Sequence, residues 1–133
     1  MMPSHDGAAA KSETVLILGA TGFLGTAIGE QLAREGYGLV LFARQRPEAL
    51  HPYERDAEWI EGDASDASAY EHVLDRVTHV VYALTGLLPK QSNDNPLDDV
   101  HRTLTPLIHL LEALRTRPHI KLVFLSSDRK SVV

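Results

Sequence analysis

Three glycines at Gly-x-x-Gly-x-x-Gly spacing, entered directly from an apolar run, constrain this chain more than any other feature. The run is Thr14-Val15-Leu16-Ile17-Leu18-Gly19-Ala20-Thr21-Gly22-Phe23-Leu24-Gly25. Val15 to Leu18 is continuous and β-rich, as expected of a parallel strand buried on both faces. Downstream, Leu24, Ala27, Ile28, Gln31 and Leu32 share one helical face, and Gly36 supplies a C-terminal stop. A strand that turns through glycines into a helix suits a dinucleotide's phosphates. Gly19 lets the chain turn off the strand, Gly22 lets the backbone approach a pyrophosphate, and Gly25 lets the helix pack close to the sheet. Thr21, Phe23 and Leu24 complete the clamp, and the helix aims its free N–H groups and positive dipole end at the phosphates. The first gap is one residue longer than in Gly-x-Gly-x-x-Gly, so the weight of the motif lies in its strand-to-helix setting. The bland alternative is a strand–turn–helix joint with no ligand.

The rest of the chain alternates strand-like and helix-like segments, the pattern of a parallel sheet with crossover helices. Leu39 to Phe42, Glu58 to Ile60, Thr78 to Tyr82 and Lys121 to Leu125 read as strands two to five. Asp66 to Val77 is expected to be a helix, with Tyr70, Val73, Leu74 and Val77 on one stripe. Asn95 and Pro96 make a cap and first position for a longer helix carrying Leu97, Val100, Leu104, Leu107, Ile108, Leu111 and Leu114. Pro106 lies inside it and is expected to kink it, freeing the carbonyl of Arg102. Right-handed crossovers and a reversal of direction at the first strand give a Rossmann-like, doubly wound α/β sheet of order 3-2-1-4-5.

Composition bounds the alternatives. A chain of 133 residues, 44% hydrophobic and 23% charged, fits one ordinary domain. Residues 1–12 read as a disordered lead-in, and residues 13–133 as that domain. A net charge of −5 with scattered Lys and Arg argues against nucleic acid. No apolar stretch approaches the ~20 residues that cross a bilayer, so no membrane partner is expected. Cysteine is absent, which excludes disulfides and thiolate metal sites and weakly favours the cytoplasm. The seven histidines form no close i, i+3 or i, i+4 pair and have no clustered carboxylates, so no metal site is expected.

Ligands of doubly wound sheets bind at the carboxyl ends of the strands, around the point where strand order reverses. Those ends carry Gly19 to Gly25, Ala43-Arg44-Gln45-Arg46, Gly62-Asp63-Ala64, Ala83-Leu84-Thr85 and Ser126-Ser127. A carboxylate at the second end would bond the ribose 2′-hydroxyl of NAD and repel a 2′-phosphate; here the residue is Ala43. Arg44 and Arg46 follow, and guanidinium groups match a 2′-phosphate in charge and geometry. NADP is therefore preferred over NAD, the alternative being that both arginines are solvated surface charge. Asp63 is placed to accept from the adenine amino group, unless it or Asp66 simply caps the next helix.

These residues carry a resemblance. Gly19-Ala20-Thr21-Gly22-Phe23-Leu24-Gly25, Gly62-Asp63 and Leu125-Ser126-Ser127 are similar to the extended short-chain dehydrogenase/reductases, the NAD(P)-dependent epimerase/dehydratase family, from Thr14 to Ser127. The stretch from His79 to Ser127 most resembles the nucleotide-sugar 4-epimerases. The resemblance implies a serine at the fifth strand's end that holds a substrate hydroxyl or carbonyl, here Ser127, with Ser126 as the other register. It also implies a tyrosine acid/base tuned by a lysine four residues later. That pair is missing: the residues four beyond Tyr37, Tyr53, Tyr70 and Tyr82 are Leu41, Ala57, Leu74 and Gly86.

Two further departures from the family are Thr103, where an asparagine is usual, and the charged run Asp128-Arg129-Lys130 after the serines. The expectation is an N-terminal portion of a longer enzyme, truncated after the fifth strand, which leaves that strand an exposed edge. The expected partners are a dinucleotide and a nucleotide-sugar substrate, with room for a homodimer. The function expected is the NAD(P)-binding domain of an epimerase/dehydratase-type enzyme. The alternative is an NADP-binding sensor module without turnover, or a remnant.

Overall fold

The computed structural model describes residues 13–84 and 96–124, with backbone alone at 96–103. The elements are β1 (Thr14–Leu18), α1 (Phe23–Arg34), β2 (Gly38–Ala43), α2 (Pro52–Arg55), β3 (Glu58–Glu61), β4 (His79–Tyr82), α3 (Pro96–Leu114) and β5 (Lys121–Phe124). All strand pairs are parallel, and the order is β3-β2-β1-β4-β5. This is the doubly wound sheet expected from the sequence. The lead-in 1–12, Thr85, Asn95, Leu125, Ser126, Ser127 and the run 128–133 lie outside the described residues.

Successive strand residues face opposite sides of the sheet, so the continuous apolar runs feed two cores. On one side Leu16, Leu18, Val40, Phe42, Val80 and Tyr82 pack against Tyr70, Val73, Leu74, Leu110 and Ile120. On the other, Val15, Ile17, Leu39, Leu41 and Val81 pack against Ile28 and Leu32 of α1 and the rings of Tyr53 and Trp59. Full burial of each such aliphatic side chain contributes about 1.5–3 kcal/mol. α3 buries Leu110 and Ala113 but leaves Leu104, Ile108 and Leu111 exposed, so its apolar residues divide between two faces. The helix runs through Pro106 without a break in its range. β5, last in this order, exposes Val123 and Phe124, the latter stacked on Tyr82.

Between β3 and β4 the structure corrects the expectation of one helix over Asp66 to Val77. Two 3₁₀ segments, Ala67–Ala69 and Glu71–Arg76, stand there instead. Asp66 accepts from the backbone N–H of Ser68 at 3.1 Å and from its hydroxyl at 2.6 Å, which holds a turn rather than an α-helical start. Tyr70 then breaks the winding at φ −125°. A 3₁₀ helix rises ~2.0 Å per residue against ~1.5 Å, so this short crossover returns across the sheet while Tyr70 and Val73 still face it.

The chain also forms a single turn, α2, that the apolar pattern gave no sign of. The carboxylate of Glu54 accepts from the backbone N–H of His51 at 2.7 Å, and Trp59 donates its indole N–H to the Glu54 carbonyl at 3.1 Å. Tyr53 donates to the carbonyl of Thr26 at 3.2 Å and so ties this turn to α1.

Candidate functional site

Register brings the strand ends to one rim. Leu18 pairs with Phe42 and Tyr82, Ile60 with Phe42, and Phe124 with Tyr82. The described residues that follow Leu18, Phe42, Ile60 and Tyr82 leave from this same end of the sheet, at the reversal between β1 and its two neighbours. The glycine loop is fastened there: the N–H groups of Gly19 and Ala20 both donate to the Phe42 carbonyl at 3.1 Å. On the other side the N–H of Ala83 donates to the Leu18 carbonyl at 2.9 Å.

The three glycines have different reasons to be glycine. Gly19 has φ +88°, and a Cβ on it would stand 2.8 Å from the Ala83 carbonyl oxygen, so Ala83 and Leu84 lie directly against the turn. A Cβ on Gly25 would stand 2.2 Å from the carbonyl oxygen of Gly19, because α1 starts in contact with the turn it leaves. Gly22 differs. Its backbone is extended (φ −75°, ψ 173°), and a Cβ would meet only the Gly19 oxygen at an ordinary 3.5 Å. Nothing in the described fold requires glycine there, and the residue is exposed.

Gly22 is also the N-cap of α1. It offers no side-chain bond to the first N–H groups, and the first turn carries no acidic residue. The first helical bond runs from Thr26 N–H to the Gly22 carbonyl at 2.9 Å, so the N–H groups ahead of it lack intrahelical partners. A bare helix start with donors turned outward and no competing carboxylate attracts an anion. Thr21 and Phe23 are exposed at this mouth, Phe23 by 88%, while Leu24 is half-buried. The donor set and the room over Gly22 fit a dinucleotide's pyrophosphate.

At the β2 and β3 ends the N–H of Gly62 donates to the Ala43 carbonyl at 3.0 Å, which seats Asp63 and Ala64 beside the second strand's corner. Oδ1 of Asp63 accepts from the backbone N–H of Ser65 at 2.9 Å and from its hydroxyl at 2.8 Å. These two bonds hold the carboxyl below the ordinary aspartate range, with a lesser contribution from the charge of Arg44. Capping of the following turn belongs to Asp66. Asp63 is exposed, and its second oxygen has no bond among the described residues.

With a folded pKa below the unfolded one, Asp63 stabilises the fold above the carboxylate range and ceases to as pH falls through it. Ser65→Ala is expected to move the carboxyl back up toward ordinary aspartate, read by NMR titration of its side-chain carbon. An unchanged midpoint would show that these bonds do not set it.

Sequence reasoning passed over two residues here. Ser65 is signalled by its position two beyond an aspartate, the spacing of an Asx turn. Glu61 was hidden because β3 runs one residue past Ile60; its carboxylate accepts from the backbone N–H of Arg46 at 2.8 Å. Arg44 and Arg46 are exposed.

The described tyrosines with resolved shifts are all pushed away from neutrality. Burial, then the Glu54 carboxylate, raises Tyr53 to about 12. Burial raises Tyr70 and Tyr82 as well. His79 meets the Thr78 hydroxyl at 2.8 Å through Nδ1, a packed position within β4. No group of three His, Cys, Asp or Glu converges among the described residues to hold a metal, and no described helix is long and apolar enough to cross a membrane.

Comparison with known proteins agrees with the geometry. UDP-glucuronate 4-epimerase 1 of Arabidopsis thaliana is 30% identical over 129 residues, covering 86% of this chain and 30% of the relative. The chain thus spans about a third of the length of such relatives. The structure of UDP-glucose 4-epimerase from Bifidobacterium longum in complex with NAD+ and UDP superposes with a TM-score of 0.76 at 24% identity, covering 86% of this chain and 37% of that one. UDP-glucose 4-epimerase from Brucella ovis in complex with NAD gives 0.71 at 22% identity, covering 84% and 35%. At these identities the likeness is one of fold. The family assignment rests on sequence, whose match over residues 15–130 takes in the glycine loop and the five strands except Thr14: the chain belongs to the NAD dependent epimerase/dehydratase family.

Proposed function

We propose that residues 13–133 form the dinucleotide-binding part of an epimerase/dehydratase-type enzyme acting on a nucleotide sugar. The observation that carries the reading is Gly22, a glycine the fold does not need, set over an uncapped helix start. Gly19, Thr21, Gly22, Phe23, Leu24 and Gly25 would hold the pyrophosphate; Asp63 and Ala64 would border the adenine, and Ala83, Leu84 and Thr85 the middle of the cofactor. When bound, the nicotinamide supplies a hydride acceptor or donor. This chain's part is then to orient it, with Ser127 proposed to hold the substrate oxygen. Substrate, cytoplasmic setting and homodimer pairing all rest on family membership.

Titration of the 133-residue chain with NAD, NADP and their reduced forms in a calorimeter tests the reading. Binding in the micromolar range is expected, and no heat from any of the four with folded protein overturns it.

The finer proposal is a preference for NADP, supported by Ala43 and by the exposed guanidinium of Arg44 beside it. Arg44→Ala is expected to weaken NADP about tenfold, the worth of one charge-assisted contact, and to leave NAD almost unchanged. Equal affinity of the unaltered chain for both cofactors would contradict it.

The absence of Tyr-x-x-x-Lys from these 133 residues, with Tyr53, Tyr70 and Tyr82 all raised, favours a second statement: this stretch by itself binds without turnover. General acid/base catalysis supplies ~10²- to 10⁴-fold, and none of these tyrosines is poised for it. A coupled assay with NAD or NADP and a panel of UDP-, GDP- and dTDP-sugars checks this. Turnover near ~1 s⁻¹, within the ordinary enzyme range, would show that another group moves the proton.

A further inference from the structure

Glu61 ends β3 and stands in register with Ala43, the residue at the corner where a cofactor-selecting carboxylate would otherwise sit. Its Oε2 accepts from the backbone N–H of Arg46 at 2.8 Å, which fixes the carboxylate beside the segment that carries Arg44 and Arg46. Charged residues on an edge strand discourage strand pairing, and β3 carries two; Glu58 is bonded to Arg76 at 2.6 Å. Glu61 is turned instead toward the loop after β2. The corner therefore brings two carboxylates, Glu61 and Asp63, to the loop that carries Arg44 and Arg46: Glu61 is bonded to the Arg46 backbone, and Asp63 feels the charge of Arg44.

A cup built only to hold a phosphate dianion would not place a fixed anion on the backbone of its own arginine loop. A carboxylate accepts a bond from a ribose 2′-hydroxyl and repels a 2′-phosphate. We propose that Glu61 is a specificity-determining residue at the ribose 2′ position, a carboxylate supplied by β3 rather than β2 that counters Arg44 and keeps NAD usable beside NADP. The inference rests on the proposed binding of a dinucleotide at this rim. It separates two influences that the residues of β2 alone would merge: Arg44 draws the phosphate in, and Glu61 limits how strongly NADP is favoured.

The test compares the 133-residue chain with Glu61→Gln and Glu61→Ala, titrated with NAD and with NADP at low and high salt. Glutamine keeps the shape and an oxygen for the Arg46 N–H while removing the charge. In Glu61→Gln the affinity for NADP relative to NAD is expected to rise roughly five- to tenfold at low salt, and the gain is expected to shrink as screening increases. Salt sensitivity is a readout that a purely structural role would not move. A ratio unchanged in Glu61→Gln and altered only in Glu61→Ala would make Glu61 a loop anchor and overturn the proposal, as would a gain indifferent to salt. If the unaltered chain and both variants bind neither cofactor, the dinucleotide reading itself fails and this inference with it. Binding of both cofactors at an unshifted ratio leaves that reading standing and removes only the role of Glu61.

Discussion

Gly25→Ala is expected to cripple folding. The added methyl would sit 2.2 Å from the carbonyl oxygen of Gly19 and 3.0 Å from its carbonyl carbon, and both are backbone atoms that cannot rotate aside. Relief requires α1 to lift from the turn, which also loosens Ile28 and Leu32 from the core on that side of the sheet. Overpacking costs ~1–3 kcal/mol where side chains can yield, and a backbone collision lies at or beyond the upper end of that range. The corresponding fall in Tm is roughly 10 °C or more for a chain of this size, a large share of a total stability near ~5–15 kcal/mol. Thermal unfolding followed by circular dichroism measures it. A Tm unchanged in Gly25→Ala would mean that α1 starts farther from β1 than the structure places it.

Gly22→Val is expected to do the opposite, sparing the fold and removing the ligand. Valine adopts the extended backbone of Gly22 readily, and its Cβ has open space beyond the 3.5 Å contact with Gly19. The branch then occupies the face over the α1 N-terminus where a pyrophosphate would accept from the backbone. Losing charge-assisted bonds worth ~1.5–3 kcal/mol each weakens dinucleotide affinity about 100-fold, while Tm moves by no more than a few degrees. Calorimetry and thermal unfolding on the same samples make the comparison. Undiminished affinity in folded Gly22→Val would place the pyrophosphate elsewhere. The pair also separates two kinds of glycine within one motif: Gly25 is held to glycine by the packing of the chain on itself, whereas the described fold leaves Gly22 free to carry a side chain.

How much of this was legible beforehand depends on the range of the interaction. The strand order follows from local patterns, because an uninterrupted apolar run such as Leu39 to Phe42 can only be satisfied by burial on both faces, and short helical crossovers then permit few topologies. The glycine loop was visible for the same reason: its strand, turn and helix are contiguous in the chain. The segment from Asp66 to Arg76 carries a helical stripe, yet the distance the crossover had to span and the Asp66–Ser68 bonds decided for 3₁₀ winding. The turn Pro52–Arg55 depends on Tyr53 reaching Thr26, 27 residues away, which no periodicity announces.

What the sequence by itself determined is the doubly wound sheet, the rim at which its strand ends gather, and the glycine loop on that rim. All three follow from apolar periodicity and backbone freedom, properties that each residue carries with it. Only the tertiary structure decided which glycine the fold requires and which it does not, since that is a matter of distance, 2.2 Å between a Cβ on Gly25 and the carbonyl oxygen of Gly19 against 3.5 Å for Gly22. It alone placed Glu61 at the corner of Ala43 and set its carboxylate on the Arg46 N–H. Charges add across space rather than along the chain, so the electrostatic character of a corner made by two strands exists only once those strands are paired.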